Sequence, residues 1–461
     1  MEKYDVLIIG GGQAGIPLAH ALAKTGKQVC LVERRELGGS CVNFGCTPTK
    51  AVIASARVAH LARRAAEFGL RIPTIEVDFP AVLERARTIL LESRHGLEAD
   101  FEETNNPRLL RGHARFAGRD DEKRFRVRVE SETVTATEVV LNTGTRSLIP
   151  SIDGLSKTDF IHAGNWLEES ELPAHLCVIG GSYIGLEMAQ FYQRMGSRIT
   201  VVEGAPHIAG REDEDVAQEM QRLLEAEGIE FHLNTHAKSV KPSGDGIILT
   251  IQSKDSGKPA SEIDASHLFI ATGRQPNTDD LGLETVGVRV SEKGIIESDE
   301  GLCTNVPGVW VAGDIRGGPQ FTHTAWDDHR VLLSQLIGDG SHTTNRIVPY
   351  AIYTDPELGR VGMTEREARA DGRAIKVANY EMKKNGKARE LGQPEGFIKV
   401  IIDAETERIL GAAVLASEGA EIVHSYIGLM NAGAPYTTLR NAVHIHPTLA
   451  EAVQSAVKLF D

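Results

Sequence analysis

What the sequence lacks excludes several roles at once. No apolar run approaches the length of a membrane span. The opening MEKYDVLIIGGG has no basic start, long apolar stretch or small-residue cleavage site of a secretory signal. Positive charge is in deficit: 50 Lys and Arg against 64 Asp and Glu leave a net charge of −14. Neither nucleic acid nor a membrane is therefore expected as a partner. There is no low-complexity segment and no long linker. Cysteine is scarce, with five in 461 residues. The expected location is cytoplasmic, where a close cysteine pair points to catalysis or metal binding rather than to a structural staple.

What is present is glycine, 46 residues of it, placed behind apolar strands. The length exceeds one core, so two to four domains are expected. The first strand, YDVLIIG, opens into GGGQAG, in which Gly10, Gly12 and Gly15 fit G-x-G-x-x-G. A helical stretch and a second apolar strand, QVCLVE, follow and end in Glu33. Each part has a physical task. Gly10 makes the turn, Gly12 admits a pyrophosphate, Gly15 lets helix and strand pack, and Glu33 accepts hydrogen bonds from ribose hydroxyls. The unit returns in LCVIGGSYIGLEMAQFYQRMGSRITVVE, with Gly180 and Gly185 in the outer positions and Glu203 as the acid. Ser182 stands where the middle glycine usually sits and is expected to crowd the phosphates slightly. Glu203 suits the free 2′-hydroxyl of NADH and repels the 2′-phosphate of NADPH. No arginine follows it directly, so NADH is favoured and NADPH is not excluded.

Two dinucleotide folds suggest hydride transfer from a nicotinamide to a flavin. GVWVAGDI, an apolar strand ending in Asp314, could supply a carboxylate to the hydroxyls of a flavin side chain. The helix that follows, within QFTHTAWDDHR, could aim its positive end at the flavin ring. This places Thr322 at the flavin. GGSCVNFGCTPTK carries Cys41 and Cys46 just ahead of a helical stretch.

In order along essentially the whole chain, these segments resemble the FAD-containing pyridine nucleotide-disulfide oxidoreductases, the family of glutathione reductase, dihydrolipoyl dehydrogenase and mercuric reductase. GGSCVNFGCTPTK resembles the family's redox-active disulfide motif. VVLNTGT, with Gly144, and LFIATGRQPN, with Gly273, resemble its two domain crossings, serving FAD and NAD(P) respectively. GVWVAGDI resembles its flavin-ribityl motif, and HIHPTLAEA its C-terminal His-Pro motif. The resemblance implies an α/β fold with two Rossmann-like dinucleotide-binding domains and a C-terminal α+β dimerisation domain. It makes Cys41 the thiol that attacks the acceptor and Cys46 the thiol beside the flavin. Lys50 becomes the lysine near the flavin, with Glu187 as its carboxylate partner. His446 is then the acid-base histidine and Glu451 its orienting carboxylate, both delivered by the other subunit of a homodimer.

Such residue types suit dithiol chemistry. A dithiol accepts an electron pair and passes it on by thiol exchange. The attacking species is a thiolate, which a helix start, a lysine and a protonated histidine all favour. A histidine, with its free pKa near neutrality, can take and return the proton. The implied layout is an FAD domain over 1–150, an NAD(P) domain over 151–274, a second FAD segment over 275–345 and an interface domain over 346–461. No metal site is expected, since no second Cys/His pair lies at ligand spacing. Cys30, Cys177 and Cys303 read as buried small hydrophobes, His444 as structural, and Arg34 and Arg35 as a solvated turn. GREDEDVAQEMQRLLEAEG reads as a solvated helix face, and KPSGDG and SKDSGKPAS as loops.

The acceptor is the open point. No cysteine follows Cys303 and the chain starts at the flavin strand, which argues against mercuric reductase. FTHTAWDDHRVL replaces the Ala-His-Lys-Ala run of dihydrolipoyl dehydrogenase and resembles a bacterial subgroup that includes hypothiocyanous acid reductase. The expected partner is a small-molecule disulfide or thiol-reactive electrophile. Dihydrolipoyl dehydrogenase, mercuric reductase and a redox-sensing flavoprotein without turnover are the alternatives.

Overall fold

The computed structural model describes residues 1–255, 257 and 259–461. Part of the loop expected over SKDSGKPAS thus lies outside the described residues. The strand Lys3–Ile9 is the centre of the first sheet, parallel to Val29–Glu33 on one side and Glu132–Leu141 on the other. Arg108–Arg111 extends one edge in parallel. The hairpin strands Phe125–Val129 and Ala114–Arg119 extend the other antiparallel. Val309–Val311 returns from far along the chain to pair in parallel with Glu132–Leu141. Val6, Leu7, Ile8 and Ile9 are all buried. A strand covered on both faces reads as a continuous apolar run rather than an alternating one.

The second sheet repeats the plan. His175–Ile179 lies between Arg198–Val202 and His267–Ile270, all parallel, with Glu230–His232 and Ile161–His162 at the edges. A three-stranded antiparallel sheet, Thr235–Ser243, Gly246–Ser253 and Ser261–Ala265, is attached to it. Thr145–Ser147 and Arg274–Pro276 pair antiparallel where the chain crosses between the two units. Residues 349–416 supply a five-stranded antiparallel sheet, onto which the helices His424–Asn431 and Ala452–Val457 pack. The fold is α/β, two Rossmann-like units followed by an α+β C-terminal unit.

One core cluster joins the parts. Ala51, Val52 and Ala56 of the helix Cys46–Arg63 pack with Leu186 and Phe191 of the helix Tyr183–Met195, and with Leu358 of the C-terminal sheet. The helix that begins at Cys46 is therefore buried against all three units.

Two expectations need correction. The run GREDEDVAQEMQRLLEAEG is not one solvated face. Its helix, Glu214–Ala226, does expose Glu214, Gln218, Arg222 and Glu225. Glu212 and Asp213, just before it, are buried. Asp213 accepts the amides of Glu365 (2.9 Å) and Arg366 (3.1 Å) at the start of another helix. Glu212 accepts the Tyr350 hydroxyl and lies 3.7 Å from Arg360. A carboxylate is buried when such partners replace its water. Cys30 and Cys177 are fully buried, but Cys303 is only partly so: it stands outside the regular strands, joined to Val309–Val311 by a single bridge to Trp310.

Candidate active site

The first glycine turn is shaped as its sequence requires. Gly10 has φ +113°, and its amide donates to Val32 O at 2.8 Å. A side chain at Gly15 would meet Gly10 O at 2.2 Å, so only glycine lets the helix Gly15–Lys24 approach the strand this closely. Asn142, from VVLNTGT, clamps the same place: its Oδ1 accepts the Gly15 amide (3.0 Å) and its Nδ2 donates to Ala312 O (2.9 Å). Glu33 accepts the amides of Gly11 and Arg35, both at 2.7 Å. Arg34 and Arg35 are exposed at the cavity edge beside it.

A cavity of about 1370 Å³ runs from this turn to the dithiol. Gly10, Gly12, Glu33, Gly144, Asp314 and Thr322 line it, and so do Cys41, Cys46, Lys50 and Glu187. Its size and glycine-bordered wall fit an extended dinucleotide. Asp314 Oδ2 accepts the Thr145 hydroxyl at 2.9 Å, with Arg274 4.0 Å away. Burial raises the Asp314 pKa, which Arg274 and Thr145 partly oppose.

The dithiol straddles two helices. Cys41 lies in the short helix Gly39–Asn43 and Cys46 is the first residue of the helix Cys46–Arg63. Asn43 between them is buried; its Nδ2 donates to Leu37 O and Gly39 O, and its Oδ1 accepts from Arg94 at 2.7 Å. Trp166 Nε1 donates to Phe44 O at 2.9 Å. The loop is thus braced from outside the motif, a feature its local spacing does not reveal. Both thiols are free. Cys46 is pulled down to about 6, first by the hydrogen bond with Cys41, then by Lys50 and Thr322, against the effect of burial. Cys41 is pushed up by the same hydrogen bond and by burial. Lys50 Nζ donates to Glu187 Oε2 at 2.8 Å. Burial disfavours the Lys50 charge, but Glu187 and Cys46 outweigh it and raise the pKa.

The second glycine turn copies the first. Gly180 has φ +111° and its amide donates to Val202 O at 2.9 Å. A side chain at Gly185 would meet Gly180 O at 1.9 Å. Glu203 accepts the amides of Gly181 (2.6 Å) and Ala205 (2.7 Å). Ser182 has φ −99° and is exposed, so its backbone makes no demand for glycine. Gly144 and Gly273, with φ +65° and +127°, lead into the two crossing strands.

His446 and Glu451 are not brought to the thiols within one chain. His446 Nδ1 lies 2.9 Å from Glu451 Oε2, and the imidazole side chain is 75% exposed. Val443 and Ile445 beside it are 100% and 80% exposed. His444 lies 3.3 Å from Leu439 O.

Residues 4–328 match the pyridine nucleotide-disulphide oxidoreductase family, and residues 348–457 match its dimerisation domain. The chain belongs to this family. The oxidoreductase is 32% identical to the dihydrolipoyl dehydrogenase of Cupriavidus necator, over 100% of this chain and 98% of that one. It is also 32% identical to the probable pyridine nucleotide-disulfide oxidoreductase RclA of Escherichia coli, over all of both chains. The solved structure of that HOCl-induced flavoprotein disulfide reductase in a Cu(II) complex superposes with a TM-score of 0.89, at 31% identity and full coverage of both chains. The oxidoreductase is an FAD enzyme that uses NAD(P)H, and its dimerisation domain supports a homodimer.

The expected Lys50 partner Glu187 belongs to a polar stripe whose other members, Gln190 and Arg194, carried no expectation from the sequence. Glu187, Gln190 and Arg194 project from one face of the helix Tyr183–Met195 and are all buried. They hold one short loop: Glu187 Oε1 accepts the Tyr353 amide (2.9 Å), Gln190 Oε1 accepts the Asp355 amide (2.8 Å), and Arg194 donates to Asp355 Oδ2 (2.7 Å). The signal lies in the spacing, since Glu187, Gln190 and Arg194 recur three and four residues apart on one face of a largely apolar helix and need buried partners there.

Proposed function

We propose that this chain reduces a small-molecule disulfide or thiol-reactive electrophile at the expense of NADH, in the cytoplasm. The observation that carries the reading is the dithiol on the cavity wall, with Cys46 held towards its thiolate beside Lys50 while Cys41 keeps its proton. Bound FAD would relay two electrons from the nicotinamide to the Cys41–Cys46 pair. Gly10, Gly12 and Gly15 would cradle its pyrophosphate, with Glu33 on the adenosine ribose and Asp314 on the ribityl chain. Gly144 and Thr322, which line the cavity, would border its flavin end. Gly180, Ser182, Gly185, Glu203 and Gly273 would hold the nicotinamide dinucleotide in the same manner.

Cys41 attacks the acceptor, forming a mixed disulfide, and Cys46 then displaces the product thiol by closing the Cys41–Cys46 disulfide. His446 from the second subunit takes the Cys41 proton and returns it to the leaving thiolate. Glu451 fixes the imidazole through Nδ1, leaving Nε2 for the proton. The balance is NADH plus a proton plus a disulfide, giving NAD⁺ and two thiols. The full-length likeness to the RclA disulfide reductase supports a disulfide acceptor, and FTHTAWDDHR, part of which lines the cavity, resembles the subgroup that reduces small electrophiles. A second reading, dihydrolipoyl dehydrogenase, is favoured by the His446–Glu451 pair, by Glu203 and by the full-length likeness to the Cupriavidus enzyme.

Steady-state NADH oxidation by the FAD-loaded protein separates the two. Turnover with small oxidants and negligible turnover with lipoamide supports the first reading. Fast lipoamide reduction overturns it in favour of the second.

A further inference from the structure

We propose that Tyr353 is a positioning residue of the redox centre: its ring face and its backbone amide hold the Lys50–Glu187 pair against Cys46. The inference rests on reading Cys46 as the thiolate beside the flavin. Lys50 Nζ lies 4.3 Å from the centroid of the Tyr353 ring, inside the range in which an ammonium is attracted to an aromatic face. The Tyr353 amide donates to Glu187 Oε1 at 2.9 Å while Lys50 donates to Glu187 Oε2 at 2.8 Å. One carboxylate is thus spanned by both groups. The ring covers the lysine from a third side and itself lines the cavity.

The placement of Tyr353 is itself fixed. It follows the strand Pro349–Ile352 of the C-terminal sheet, and the next residues are gripped by Gln190 and Arg194. The helix Tyr183–Met195 holds the Tyr353 loop through Glu187, Gln190 and Arg194, so backbone and ring are delivered as one piece. A lysine with four rotatable bonds needs such a wall, because Glu187 alone leaves it free to swing about the carboxylate.

The groups facing Cys46 are Cys41 from the preceding short helix, Lys50 one turn along its own helix, Glu187 from the second nucleotide unit, Thr322 from the helix Thr322–Ile337 and the phenol of Tyr353 itself, which burial keeps protonated to higher pH than usual. Cys41, Lys50 and Thr322 favour the thiolate, and Glu187 opposes it. Loss of the aromatic face lets Lys50 move away and leaves the Glu187 field, so the Cys46 thiolate is disfavoured.

The test is the pH dependence of iodoacetamide alkylation of Cys46 in the reduced, FAD-loaded protein, with the modified thiol located by fragmentation mass spectrometry. Tyr353→Phe should leave the midpoint unchanged, since the ring and amide remain. Tyr353→Leu should raise it by about half a unit to one unit. Phenylalanines of increasing fluorine content at position 353 weaken the charge of the ring face with little change in packing. They should raise the midpoint in step, which a merely structural ring would not do. A low wild-type midpoint that neither the leucine nor the fluorinated series moves overturns the proposal alone. A wild-type Cys46 that titrates as an ordinary thiol overturns the underlying reading as well.

Discussion

The Cys46 sulfur lies 3.1 Å from the Thr322 hydroxyl, although 276 residues separate them in sequence. The thiol stands at the start of one helix and the hydroxyl at the start of another, so two helix N-termini converge on one sulfur. Thr322→Val keeps the shape and deletes the hydroxyl. The Cys46 titration midpoint should rise by about half a unit to one unit, the worth of one hydrogen bond. Thiol alkylation rates as a function of pH provide the check.

The same thiol makes the reduced protein's stability depend on pH. The folded-state pKa of Cys46, about 6, lies below that of an unfolded thiol. Its thiolate therefore stabilises the fold fully above the unfolded value, and that contribution is lost as pH falls through about 6. Cys41 is shifted the other way, so its contribution is present below the unfolded value and is lost as pH rises. Denaturation of reduced wild type and of Cys46→Ser should show a stability difference that is largest in mild alkali and shrinks towards acid pH.

A histidine that acts across subunits can be tested by complementation. His446→Ala should lower turnover by about 10²- to 10⁴-fold, the usual worth of a general acid-base. Cys41→Ser should abolish acceptor turnover. Exchanging subunits between the two variants should restore about a quarter of wild-type activity. Half of the dimers are then hybrids, and each hybrid carries one intact site. No recovery despite proven exchange would count against cross-subunit catalysis.

The two glycine turns should fail separately. Gly15→Ala forces a methyl onto Gly10 O and should cost about 1–3 kcal/mol of stability and most of the bound FAD. Gly185→Ala forces the same clash at Gly180 O, so it should spare the flavin and raise KM for NADH. Ser182→Gly should leave the flavin content unchanged and lower KM for NADH slightly, since it removes the side chain expected to crowd the phosphates. Flavin absorbance and NADH titration distinguish the three.

The glycine turns, the acids that end their second strands and the dithiol segment were legible because each is a local unit. Strand, turn and helix are fixed within a few tens of residues, and their spacing repeats in both halves. Tyr353 against Lys50, Arg94 against Asn43 and Arg360 against Glu212 were not. Each joins segments far apart in sequence, and nothing local in either member announces the other. The acidic run before Glu214 shows the limit plainly. Glu212 and Asp213 have the same chemistry as their solvated neighbours, and only the approach of the C-terminal sheet decides which carboxylates are buried.

Glu33 and Glu203 share one arrangement: each carboxylate is already held at both oxygens by backbone amides of its own turn. On the proposed function, the two nucleotide sites are therefore preorganised. Neither acid has to be frozen out of many rotamers when a ribose arrives, so binding energy is not spent on ordering the receptor. Release of spent dinucleotide then leaves the turn in shape for the next molecule, a useful property for a site that must exchange its ligand at every cycle.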